Sequence, residues 1–485
     1  MSRFTVDRRR LLAAGLAVAA LPSAARAAGG DAARDMVAAI NDPAARQGFL
    51  DRWASPSGLQ RRPPQAWFDM LERVRIQSGG LDFLRTGEEA RTVVAIVRTR
   101  AQGKVRALVA LTDRDRPDRL YRLVFTAKPT PYDGPLPAEP MTPTALLKAV
   151  ERRVAFAAER DDFSGAIRVL SPDGQVFFEA GHGVAHRDFD ARITPATRFH
   201  LGSADKSFTA LLIGRHVAAG RLSLDATVAD LLPAYINREA AAKITVRHLL
   251  SHTAGLGDLW SRPNYDRRRM TERVAELLPM FSDAALAFEP GTRSSYSNEG
   301  FVVLGAIIEA VGQASWYDQL ADWVYAPAGM TRSGHFRADE TVAGRAVGYR
   351  FADDDLLGLG ERGLNTAFGG GRGNSCGGGY STVGDMTAYL RALRAGRLVT
   401  PAVYEQFTVQ APGGLPDYGL GFVVRPVGGR TAIGHGGGGP GSGIDGDSWI
   451  IKETGWACSI LGNYDAPFVQ DLSRDLRGMI AAQAA

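Results

Sequence analysis

Ser203 and Lys206 stand three residues apart in Leu201-Gly202-Ser203-Ala204-Asp205-Lys206-Ser207-Phe208-Thr209, and Lys206 is one of six lysines set against 51 arginines. A chain that uses arginine almost everywhere a cation is wanted carries a lysine here. Arginine stays protonated in proteins, whereas a desolvated lysine can release its proton and act as a base. Serine is a weak nucleophile until its proton is taken, and an amine one helical turn away can take it. At the first turn of a buried helix the serine N–H would also point at a developing oxyanion, where the helix dipole favours negative charge. Taken alone, Ser-x-x-Lys is weak evidence, because serine also serves as a helix N-cap and lysine as a first-turn surface residue.

Two further elements follow in order. Tyr296-Ser297-Asn298 comes after Pro290-Gly291 and before the apolar run Phe301–Val311. A phenol with pKa near 10 becomes useful in proton transfer when a cation such as Lys206 favours its phenolate. His435-Gly436-Gly437 lies near the C-terminus, and its glycines would let a substrate approach a strand edge closely. Serine with lysine, then Tyr-x-Asn, then a basic residue-x-Gly strand resembles the serine β-lactamase and penicillin-binding protein superfamily. The connecting text is similar to its class C β-lactamase, D-alanyl-D-alanine carboxypeptidase and esterase branch, notably in 244–256 (Ile244 to Leu256), Pro327-Ala328-Gly329-Met330-Thr331, Gly378-Gly379-Tyr380-Ser381-Thr382 and Tyr418-Gly419-Leu420-Gly421-Phe422. The resemblance covers about residues 150–485.

That resemblance implies an α+β fold, an antiparallel sheet flanked by helices plus an all-helical lobe. It implies an acyl-enzyme on Ser203, with Lys206 and Tyr296 as the acid/base pair. Asn298 and His435 would position substrate, Asn298 also orienting Lys206. The N–H groups of Ser203 and Gly438 would form the oxyanion hole, with Gly437 leaving room for the acyl group. His435 stands where true β-lactamases carry lysine, a form similar to exported DD-peptidases, D-aminopeptidases and some esterases. A mostly neutral imidazole holds a carboxylate less firmly than an ammonium does, so esters or peptide-like amides are expected ahead of β-lactams. A weak class C-like β-lactamase and a non-catalytic penicillin-binding-like receptor are the alternatives.

Three other patterns match in letters only. Gly373-Asn374-Ser375-Cys376-Gly377 fits a nucleophile elbow and His435-Gly436-Gly437-Gly438 an oxyanion motif, but no apolar strand precedes Ser375 and the order is reversed. His182/His186 and His248/His252 have i, i+4 spacing without the glutamate of His-Glu-x-x-His, so no metal is expected. The 358–363 stretch (Gly358 to Gly363) lacks the strand-to-helix context of a dinucleotide site, and no cofactor is expected.

The elements that must hold these residues read as follows. Ala166–Leu170 and Gln175–Glu179 form a hairpin about Asp173-Gly174. The nucleophile helix is apolar on most sides (Phe208, Leu211, Leu212, Ile213, Val217), hence buried, and ends at Gly220. Helices dominate to about residue 330. Trp449–Ile451, Ala457–Leu461 and a terminal helix close the chain, so strands from both ends complete the sheet. The glycine-rich Gly358–Gly379 stretch reads as a loop over the pocket mouth.

Upstream, residues 28–125 read as a small α+β domain. Ala32–Ile40 and Pro64–Ile76 have helical spacing, the latter with Trp67, Phe68, Leu71, Val74 and Ile76 as its apolar face. Thr92–Arg98, Val105–Leu111 and Arg119–Phe125 suggest an antiparallel meander. Six prolines in 126–143 predict a stiff linker, and a helix from Thr144 through Leu147, Val150 and Val154 opens the hydrolase-like domain, 144–485.

Residues 1–27 read as a twin-arginine export signal. Arg8-Arg9-Arg10 precedes an apolar run and a cut before Ala28, and about 11 apolar residues are too few to span a bilayer. A periplasmic or secreted protein is expected. Without this segment the chain has 52 basic and 51 acidic residues, which gives nucleic acid no basic excess to recognise. Cys376 and Cys458 read as unpaired small apolar residues. The expected partner is a small ester or peptide-like molecule, cell-wall peptide among them; no nucleic acid and no stable membrane span are expected, and the oligomeric state is left open.

Overall fold

Trp67, Leu71, Val74 and Ser78 recur on one face of the helix Pro64–Ser78, and all four are buried. Ile76 falls outside that stripe and is 67% exposed, correcting its place in the expected apolar face. The computed structural model describes residues 23–87, 92–125, 128–262, 265–266, 269–365, 371–439 and 441–483. They belong to two units, Met1–Pro131 with Asp353–Gly360, and Tyr132–Ala352 with Glu361–Ala485. The arginine pair of the export signal lies outside the described residues; the first described helix is Ser23–Asn41.

In the first unit four strands, Leu81–Gly87, Thr92–Thr99, Val105–Thr112 and Leu120–Val124, pair antiparallel in sequence order. The first of them was not expected. Only Leu81 of its seven residues is buried, and the register shifts between Phe83 and Arg85, so it lacks the alternation that marks a strand. Met36 and Ile40 join Trp67, Leu71 and Val74 to cover Ala95, Val97, Leu108 and Ala110. Leu357 is buried in the same cluster, and Arg106 holds its segment by donating to the carbonyls of Leu357 (2.9 Å) and Gly358 (3.1 Å). Gly358–Gly360 therefore does not belong to a pocket-covering loop, a correction to the reading of 358–379.

The second unit is built on six antiparallel strands in the order Val423–Val427, Arg430–Gly439, Ile444–Ile451, Ala457–Gly462, Gly165–Leu170 and Val176–His182. Strands from both ends of the unit meet where Ala457–Gly462 pairs with Gly165–Leu170, as expected. One face packs Leu146, Val150 and Val154 of the helix Pro143–Glu159 and Leu472, Leu476 and Ile480 of the helix Phe468–Ala481 against Ile167, Trp449 and Ile460. The other face meets Phe208, Leu212, Met386 and Leu390, which continue into the helical lobe. Each such side chain taken fully out of water contributes about 1.5–3 kcal/mol. The result is the α+β architecture expected from the sequence. Among the described residues no single helix is long and apolar enough to cross a membrane, and Cys376 and Cys458 are free and buried.

Candidate active site

Gly202–Ala204 is a 3-10 turn that runs into the α-helix Asp205–Ala218, so Ser203 sits one turn ahead of the regular helix rather than within it. Lys206, on the first turn, is completely buried. Removing an ammonium from water costs several kcal/mol unless oxygens replace its hydration. They do. Lys206 Nζ donates to Asn298 Oδ1 at 2.7 Å and to the Cys376 carbonyl, and lies 3.2 Å from Ser203 Oγ.

Asn298 begins the helix Asn298–Gly312, whose N-cap Ser297 accepts from Gly300 N–H. The Asn298 amide has only one useful orientation. Its oxygen faces Lys206, and its Nδ2 donates to Asp258 Oδ1 at 2.9 Å. Asp258 was not anticipated; the signal available was its place just after the Ser251–Leu256 stretch. Buried Glu299 holds that loop by accepting from Gly257 N–H (2.9 Å) and from Arg262 through two nitrogens.

The Tyr296 ring centroid lies 4.9 Å from Lys206 Nζ, and the side chain is 40% exposed. His252 stacks on it, centroids 4.4 Å apart. Its Nδ1 accepts from Ser297 N–H at 3.1 Å, which leaves the proton on Nε2. Burial, with Lys206 nearby, holds this imidazole well below its usual pKa. His252, weighed in the sequence as half of a metal pair, instead fixes the Tyr296 ring; its partner there, His248, accepts from Thr245 N–H within a helix cap. Among the described residues no cluster suits a metal ion.

The strand Arg430–Gly439 passes against the Ser203 turn. A Cβ built on Gly437 would lie 1.9 Å from Leu201 O and 2.6 Å from Ser203 N, and one on Gly202 would lie 2.6 Å from Gly438 N. Only glycines permit this approach, and it brings the backbones of Ser203 and Gly438 together beside one cavity.

That cavity, about 290 Å³, is lined by Ser203, Tyr296, Asn298 and Gly438, with His200, Trp260, Tyr265, Arg372 and Tyr380 among the remaining walls. Lys206, Gly437 and His435 stand behind the lining. His435 corrects the expectation of a substrate-facing side chain. Its ring is buried, Nδ1 donating to Gly436 O (2.6 Å) and Nε2 accepting from Tyr418 Oη (3.0 Å). Burial, then the Lys206 charge, pushes its pKa down to about 4. The expected neutrality is present, but the ring supports the strand and Tyr418 instead of meeting ligand. Arg372 is already engaged, stacked 3.7 Å from the Tyr317 centroid and paired with Glu272 at 3.1 Å. Ser375 is fully buried and donates to Phe301 O at 2.8 Å, so the nucleophile-elbow pattern has no exposed hydroxyl.

Residues 149–482 match the family model described as Beta-lactamase. The chain is 31% identical over 327 residues to Esterase EstB of Burkholderia gladioli, an alignment covering 59% of this chain and 82% of that one. It is 34% identical over 199 residues to Penicillin-binding protein 4 of Amycolatopsis lactamdurans, covering 40% and 49% respectively. With a D-aminopeptidase of Brucella anthropi it shares 27% over 281 residues, covering 56% and 51%. The chain thus spans about half the length of these last two relatives. A solved penicillin binding protein from Bacillus halodurans superposes with TM-score 0.57 at 25% identity, covering 70% of this chain and 99% of that one. A family match across most of the second unit, joined to a serine and a buried lysine beside a glycine strand, places this chain in the Beta-lactamase family of serine hydrolases.

Proposed function

We propose that this chain hydrolyses small esters or peptide-like amides through an acyl-enzyme on Ser203. One observation carries the reading: the buried Lys206 Nζ has three oxygen neighbours, Asn298 Oδ1, Cys376 O and Ser203 Oγ. A neutral amine has two N–H bonds and one lone pair. Once Lys206 has given up a proton, Asn298 Oδ1 and Cys376 O take its two remaining N–H bonds and the lone pair is left for the serine proton. Oγ then attacks the acyl carbon, and the oxyanion forms against the N–H groups of Ser203 and Gly438. Tyr296, on the wall and beside Lys206, protonates the departing oxygen or nitrogen. Water, giving its proton back through the same pair, releases the acid and restores Ser203 Oγ–H.

A carboxylate adjacent to the reacting carbonyl finds no unengaged cation among the described lining residues, since Arg372 is paired and His435 is neutral and buried. This favours neutral esters and amides over β-lactams. Ser203→Ala should abolish turnover of p-nitrophenyl butyrate and the mass increase left by a fluorophosphonate, while Ser375→Ala keeps most activity. An acyl adduct mapped to Ser375, or a single stoichiometric burst without turnover, would overturn the reading in favour of another nucleophile or a receptor. We also propose twin-arginine export, supported by the 1–27 pattern; replacing Arg8 and Arg9 by lysine should trap the protein in the cytoplasm, and unaltered export would reject it.

A further inference from the structure

A second cavity, about 580 Å³, adjoins the first and shares His200, Tyr380, Ser442 and Ile444 with its wall. The shared wall is stiff. Phe199–His200 and Tyr380–Ser381 pair as short antiparallel strands, and the His200 and Tyr380 rings meet edge-on at 5.2 Å. His200 Nδ1 accepts from Gly202 N–H at 3.0 Å, which leaves a proton on Nε2. The second cavity is twice the size of the one around Ser203, more room than a short acyl group fills.

Its polar groups are unevenly satisfied. Asp339 is paired with Arg337 at 3.0 Å, and Glu340 accepts from Arg337 N–H. Arg345 lines the cavity half-buried, its guanidinium 5.5 Å from the Tyr380 centroid, with no carboxylate within 4.0 Å among the described residues. Asn463 also borders the cavity and is 3% exposed. Both its N–H bonds are taken, by Val184 O (3.0 Å) and Val347 O (2.9 Å), while its Oδ1 has no partner. Turning the amide over would lose two good hydrogen bonds, so Oδ1 is fixed as an acceptor. That Oδ1 is closed off from the cavity, so the unmatched group on the wall is the Arg345 guanidinium, whose planar fork suits a carboxylate.

We infer that this second cavity is a substrate subsite for a peptide-like arm ending in a carboxylate, the carboxylate held by Arg345. The inference rests on the Ser203 reading for what happens next door. It gives a substrate carboxylate a place at a distance from the reacting carbon, where the described lining residues offer no unengaged cation.

The test measures equilibrium binding to Ser203→Ala protein, so that turnover is not required. The probes are short N-acetylated peptides with a free C-terminal carboxylate and the same peptides as C-terminal amides, each in L and D forms. At least one carboxylate peptide should bind about tenfold more tightly than its amide, and Arg345→Met, which keeps the length of the side chain, should remove that difference. Hydrolysis of p-nitrophenyl butyrate by Arg345→Met in the Ser203 background should stay unchanged. Equal affinity for carboxylate and amide, or a preference that survives Arg345→Met, overturns the subsite. Arg345-dependent binding in a protein that never acylates Ser203 overturns the hydrolase reading alone.

Discussion

At the scale of single residues, the site depends on an amine that is not allowed to meet water. Lys206 is completely buried with oxygens on two of its directions and Ser203 on the third. Arginine keeps the charge but cannot give up a proton, and its fork has no space there. Lys206→Arg should therefore be nearly as damaging as Lys206→Ala, each lowering kcat by at least about 10²-fold. A near-normal kcat for the arginine variant would show that the lysine serves only as a charge. The serine and the lysine that the structure brings together were marked by residue type and spacing, and the tyrosine and the asparagine by the family motif that follows them. Asp258 and His252 were not, because they act through neighbours: one fixes an amide, the other a ring, and many residue types do either. His435 misled for the same reason, since a motif gives the residue but not the direction of its side chain.

At the scale of elements, the site is made by one strand lying against one turn. Gly437 and Gly439 are two residues apart on the strand Arg430–Gly439, yet their surroundings differ completely. A Cβ on Gly437 would meet backbone at 1.9 Å, whereas one on Gly439 meets nothing within 4 Å. Gly437→Ala must move the strand off the Ser203 turn and should lower kcat/KM by about 10²-fold or more, the loss expected when an oxyanion donor is displaced. Gly439→Ala should keep the wild-type Tm and at least a large part of the activity. Parallel assays and thermal melts on the two variants check this; equal behaviour would mean that the strand yields easily. Apolar periodicity showed the buried helices and the central strands in advance, because burial on one or both faces writes itself into the sequence. The edge strand Leu81–Gly87, with one buried residue, left no such record.

For the whole molecule, burial of titratable groups predicts how stability follows pH. His200 and His435 are each pushed down to about 4, and His252 lies well below its usual value, all mainly by burial. Between pH 4 and 6.5 the unfolded chain binds protons that these folded histidines refuse, so stability rises with pH and is lost on acidification. Asp445, raised to about 8 by burial, acts in the opposite sense: folded protein holds a proton that the unfolded chain releases above its usual pKa near 3.8. Three histidines outweigh one aspartate below pH 6.5; above it only the aspartate among these four still titrates. Urea unfolding should therefore show a maximum near pH 6.5 and a decline toward pH 8, and Asp445→Asn should remove that decline while keeping the acid-side loss. Stability still rising from pH 6.5 to 8 in the wild-type protein would contradict this assignment.

The segment Asp353–Gly360 has a further consequence, for the order of events during synthesis. The first unit closes its core with Leu357, about 230 residues after the rest of that unit ends at Pro131. At ~5–20 residues per second a ribosome needs roughly 10–50 s to supply it. Until then the N-terminal portion has an unfilled place among its apolar side chains and cannot complete folding as it emerges. Neither unit is a contiguous stretch of chain, so neither can be cut out at one boundary without loss. Deleting 353–360 should therefore lower the stability of the first unit, although every residue of its four strands and their covering helices is retained.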